Sequence, residues 1–172
     1  SDLINENKEL NLPSQKRTLS NFRCEEFANE AYKIFDERST KEIGYVLEEG
    51  NSLNNFNEVS ENIIHFVLDK YNRNSCRYVQ EVVEEKLDGL KSKIGEKLLK
   101  YYEINCSLYI KMKENEFHKF IDNLPNKLSE FDGWEQKANE HLKQDVSSIQ
   151  DFVHKTIVGT YHWEFDFSSF EA

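Results

Sequence analysis

In the run Phe22-Arg23-Cys24-Glu25-Glu26 a thiol, a guanidinium and two carboxylates stand side by side. A cysteine attacks only as its thiolate, so a base or a strong positive charge must be brought to it by a recognisable context. None surrounds Cys24. At helical spacing Cys24 instead shares a face with Phe27, Ala28, Ala31 and Phe35, the setting of a small core residue. Arg23 has two readings. It can pair with Glu26 three residues on, worth about 0.2–0.5 kcal/mol, or its planar fork can clamp a carboxylate or backbone carbonyls of a neighbouring domain and fix a joint.

Other chemistries fail on spacing. A phosphate-cradling loop needs Gly-x-x-x-x-Gly-Lys-[Ser/Thr], so that backbone amides converge on the anion. Gly44 and Gly50, or Gly89 and Gly95, are spaced wrongly, and the chain has no Gly-Lys pair. It is therefore expected neither to bind nor to hydrolyse GTP. Helical di-iron centres need two Glu-x-x-His units and two further glutamates. The five histidines supply one distant echo, Asp151-x-x-His154, and His162 with Glu164 and Asp166 lacks a diagnostic metal spacing. No catalytic, cofactor-binding or metal-ligating residue is assigned.

The elements that position the Arg-Cys-Glu-Glu run begin at Lys8. Leu10 and Leu12 flank Asn11 and lead into Pro13, which steers Leu12 away from helix and predicts a turn. Ser14 is then the expected N-cap of a helix reaching about Glu37. A turn feeding a capped helix reads as a joint between two bodies. Its candidate residues are Leu12, Pro13, Ser14, Gln15, Arg23, Cys24 and Glu26.

On those residues a resemblance appears. Glu9-Leu10-Asn11-Leu12-Pro13-Ser14-Gln15 followed by Phe22-Arg23-Cys24-Glu25-Glu26 resembles the root-hair-defective/Sey family of dynamin-like GTPases, which fuse endoplasmic reticulum membranes. There a similar stretch follows the GTPase domain and begins the helical stalk; Asn11 stands where the family usually has an acidic residue. The resemblance implies that residues 1–13 link from an upstream GTPase domain, that 14–160 form the stalk bundle, and that 161–172 are an aromatic-acidic tail. It also implies GTP and magnesium in the whole protein but not in this segment. Partners would be the upstream GTPase domain and a second copy, with membrane reached only through other segments, at the cytosolic face of the endoplasmic reticulum.

Composition bounds the alternatives. The chain has 172 residues, 38% of them hydrophobic, with six glycines and two prolines, which favours helix over sheet and allows a real core. A net charge of −10 argues against a nucleic-acid footprint and against docking by charge onto an anionic membrane. Three widely spaced cysteines, Cys24, Cys76 and Cys106, suggest reduced and mostly buried thiols. No apolar run is long enough to cross a membrane.

Along the rest of the chain the periodicity is helical. Ser39-Thr40-Lys41-Glu42 reads as a capping box opening a short helix that ends at Gly50 as C′ residue. Phe56, Val59, Ile63, Val67 and Tyr71 form the next stripe, which Asn72 to Ser75 blur. Cys76, Val79, Val83, Leu87, Leu90, Ile94, Leu98 and Tyr101 then follow an eleven-residue rhythm that keeps a long helix nearly straight. Pro125 and Asp132-Gly133 are breaks, and Trp134, Ala138, Leu142, Ile149, Val153 and Ile157 mark a last amphipathic helix. The expected fold is all-α: an elongated bundle of about four to six helices, one or two of them long. Three function classes follow: a stalk of the GTPase kind, a free-standing helical or coiled-coil interaction adaptor, and a helical-bundle enzyme, which the spacing tests nearly exclude.

Overall fold

The computed structural model describes residues 2–123 and 133–156, with side chains at 12–123, 133 and 135–152. Among them every regular element is a helix. α1 spans Asp2–Ser39 and runs into a π-helical turn, Thr40–Gly44, then α2, Tyr45–Glu48. α3 covers Phe56–Ser75, α4 Gln80–Asp122 and α5 Trp134–Thr156. The all-α expectation holds, with α1 and α4 as the long helices. Two compact units divide the described chain, one holding residues up to 40 and 60–98, the other 41–59 and those after 98. The tail 161–172 and Pro125 lie outside the described residues.

In the first unit, α1 contributes Cys24, Ala31 and Phe35 to the core, as their spacing requires, and α3 contributes Ile63, Ile64, Val67, Leu68 and Tyr71. α4 closes it with Val82, Val83, Leu90, Ile94 and Leu98. Each large aliphatic side chain buried here stabilises by about 1.5–3 kcal/mol. The polar end of Tyr71 is satisfied by donating its hydroxyl to the Val83 carbonyl at 2.7 Å. Asn72 to Ser75 complete α3, and the turn falls at 76–79, where the Tyr78 amide bonds the Ser75 carbonyl. Cys76 lies on that turn and is exposed, which corrects the expectation of a buried thiol and removes it from the long stripe; all three cysteines are free.

Two local expectations fail. Pro13 lies inside α1 rather than at a turn, and Ser14 does not cap: its carbonyl accepts the Thr18 hydroxyl at 2.9 Å, one turn further on. Proline removes one helical hydrogen bond, but strong helix formers surround this one, among them Leu12, Gln15, Lys16 and Arg17. Nor do Ser39 to Glu42 form a capping box. The Ser39 hydroxyl donates backward to the Asp36 carbonyl at 3.3 Å, because the chain is still helical there and leaves no free amide to cap.

In the second unit the π turn buries Ile43 and Gly44. A β-carbon on Gly44 would meet the Tyr101 hydroxyl at 3.0 Å, a tight approach that the tyrosine would have to relieve by shifting a few tenths of an ångström. Gly50 ends α2 as expected. Its φ is +84°, its amide bonds the Leu47 carbonyl at 3.0 Å, and the Asn51 amide bonds the Val46 carbonyl at 3.2 Å, together a Schellman ending. Asn105, wholly buried, then ties the following loop to α4. Its carboxamide accepts from the Leu53 amide at 2.6 Å and donates to the Leu53 carbonyl at 3.0 Å.

α5 differs from its expected stripe. Leu142 is exposed, while Asp145 and Phe152 are buried. Phe152 stacks on Tyr109 of α4 with ring centroids 4.0 Å apart, and the Tyr109 hydroxyl donates to the Ser148 carbonyl at 3.3 Å. His141 stacks on Phe120 at 4.5 Å and holds Asp145 at 3.1 Å. The buried face therefore carries polar side chains, which an apolar period does not register.

Candidate functional site

The residues singled out in sequence lie on α1, and the first unit surrounds their inner side. Cys24 is fully buried. Burial pushes its thiol upward in pKa, only partly offset by the Tyr71 hydroxyl and the positive Lys86. A thiol held protonated is a poor nucleophile, so Cys24 acts here as a core residue. Burial likewise raises the Tyr71 phenol.

Around this core a set of contacts fastens α1 to the turn at 76–79 and to the start of α4. The Ser20 hydroxyl, itself buried, accepts from the Val79 amide at 3.0 Å, one of the amides that the start of α4 leaves without a helical partner. Phe27 packs against Tyr78 with centroids 5.8 Å apart. Arg17 pairs with Glu81 at 3.0 Å and Lys86 with Glu25 at 2.8 Å. Lys86 holds the Glu25 carboxyl below its usual range, while Glu25 raises the lysine. Lys97 reaches back to Asp36 and lies 3.4 Å from the Thr40 hydroxyl.

Toward its outer side α1 is open. Arg23 pairs with Glu26 at 3.2 Å, both about half exposed. Leu12, Pro13, Ser14 and Gln15 are exposed, and all but Gln15 line a cleft of about 880 Å³ completed by Lys16, Arg17, Val79 and Glu81. The structure thus gathers Leu12, Pro13 and Ser14 at one cleft, buries Cys24, and leaves Arg23 and Glu26 as a surface pair. Val79 was read only as part of an apolar stripe, and Tyr78, Glu81 and Lys86 were missed in sequence, since no local spacing signals a contact sixty residues away. The side chains offer docking surface and ion pairing. They do not assemble a nucleophile with a base, and among the described residues no cluster of three or more His, Cys, Asp or Glu could hold a metal ion.

Comparison with known proteins finds relatives that include several SEY1 proteins. The chain is 36% identical over 166 residues to "Protein SEY1 homolog 1" of Trichomonas vaginalis, a match covering 95% of this chain and 21% of that protein. It is 28% identical over 165 residues to "Protein SEY1 homolog 2" of the same organism, with the same coverage of 95% and 21%. "Protein SEY1 homolog 2" of Entamoeba histolytica is 36% identical over 82 residues, 48% of this chain and 10% of that protein. The chain spans about a fifth of the length of the first two relatives. No family model matches the chain, and no solved structure does.

Proposed function

The chain belongs to the SEY1 family, and on that premise we propose that it is the proximal helical stalk of a dynamin-like GTPase that fuses endoplasmic reticulum membranes from their cytosolic face. In this reading a GTPase domain precedes the chain. GTP and magnesium bind there, a second copy pairs with it, and α1 carries the resulting motion into the helices that follow. The observation that supports it is the match of 95% of this chain to about a fifth of a SEY1 homologue, in a segment whose described regular elements are all helices. A helix fastened along one side by Ser20, Phe27, Arg17 and Glu25 transmits displacement as a body, which suits a lever.

The test compares the 172-residue chain with the full-length protein, using a fluorescent GTP analogue with and without magnesium. The full-length protein is expected to bind the analogue saturably and release phosphate only with magnesium, and the 172-residue chain to bind none. Saturable binding by the short chain, or no GTP turnover by the full-length protein, overturns the reading.

A further inference from the structure

α1 carries an exposed face that is both apolar and basic. At about 100° per residue, Leu12, Lys16, Leu19, Phe22 and Arg23 share about one third of the helix circumference. That sector lies away from the one bearing Ser20, Cys24, Ala31 and Phe35. Leu12 is 51% exposed, Leu19 53% and Phe22 61%, a concentration of apolar surface that isolated exposed residues do not produce. Between Pro13 and Cys24 the chain has three cations and no acid, although its net charge is −10. Lys16 makes no ion pair among the described residues, and Arg23 pairs with Glu26 of its own helix.

The same sequence contains the complementary pattern. Residues 161–172, YHWEFDFSSFEA, interleave Trp163, Phe165, Phe167 and Phe170 with Glu164, Asp166 and Glu171 and contain no lysine or arginine. Phe165 stands between two carboxylates as Leu19 stands between Lys16 and Arg23. We propose that segment 161–172 docks on the Leu12–Arg23 face of α1, its aromatic rings covering Leu19 and Phe22 and its carboxylates meeting Lys16 and Arg23. An anionic lipid surface is the weaker occupant, because three cations must act against the repulsion of a strongly acidic chain. The segment brings both the apolar groups and the opposite charge.

Trp163 reports the contact in the 172-residue chain once Trp134→Phe leaves it as the sole indole. In that chain, emission of Trp163 is expected to be blue-shifted and shielded several-fold from acrylamide relative to free indole. Leu19→Glu with Phe22→Glu should abolish the shielding. Lys16→Glu with Arg23→Glu should weaken it, and adding Glu164→Lys with Asp166→Lys should restore it. All the substituted α1 side chains are exposed, and unchanged far-ultraviolet circular dichroism checks that the fold persists. The proposal is overturned if Trp163 is as accessible as free indole, whether or not phosphatidylserine vesicles bind the chain. It is overturned equally if the α1 substitutions leave the shielding unchanged, if the charge exchange does not restore it, or if the shielding disappears on dilution, which would make the occupant a second copy.

Discussion

Cys24 and Tyr71 tie the stability of the first unit to alkaline pH. Both pKa values are raised by burial, so the folded state holds their protons more tightly than the unfolded chain does. Their contribution is complete below the ordinary thiol value of 9.0 and is lost as pH rises from there through the folded values. Chemical denaturation from pH 7 to 11 should show stability falling above about pH 9, with a shallower fall in Tyr71→Phe. That substitution also removes the hydroxyl's bond to the Val83 carbonyl and should destabilise by about 0.5–1.5 kcal/mol at neutral pH. Thiol labelling offers an independent check. Cys76 should react at once, and Cys24 only as the protein unfolds. Ser60 is the opposite case: its buried hydroxyl has no partner among the described residues. Ser60→Ala is therefore expected to be neutral or to stabilise by up to about 1 kcal/mol in urea denaturation, and a clear loss would reveal an unrecognised partner.

At the scale of elements, two glycines in α4 and one proline in α1 work against their helices. A β-carbon on Gly89 or Gly95 would meet no atom within 4 Å, so each change to alanine should stabilise by about 0.5–1 kcal/mol, read as a rise in melting temperature. Pro13→Ala should raise amide protection from hydrogen exchange across Glu9 to Arg17, since it restores a helical donor. No gain there would favour the turn expected from sequence. Gly50→Ala should destabilise by about 1–2 kcal/mol because its φ is +84°. The stripes of α1 and α3 and the ending at Gly50 were legible because local period and turn chemistry determine them. Pro13 was misread because a single proline was set against a long helix and the helix prevailed. The buried faces of Asn105 and α5 were illegible for another reason: their polar groups are satisfied by partners distant in sequence, such as Leu53 and Tyr109. In the candidate site, Cys24 as a core residue and the Arg23–Glu26 pair could be read from spacing. The contacts with Val79, Glu81 and Lys86 could not.

For the whole molecule, the proposed stalk role would make α1 a lever between a GTP-driven domain and the membrane. Interrupting that lever should uncouple the two without touching turnover. Arg17→Ala releases the surface ion pair that fastens α1 to Glu81, and Arg23→Ala removes a planar fork from the surface of α1. Phe27→Ala is the contrast. Phe27 is half-buried against Tyr78, so it should destabilise by less than the roughly 3–5 kcal/mol of a full core cavity and lower melting temperature and activity together. The most direct measurement is lipid mixing between vesicles carrying the full-length protein, followed beside phosphate release. With Arg17→Ala or Arg23→Ala, lipid mixing is expected to fall severalfold while phosphate release and melting temperature stay close to those of the unmodified protein. Normal lipid mixing in both variants would contradict the account and leave this stretch of α1 an ordinary connector.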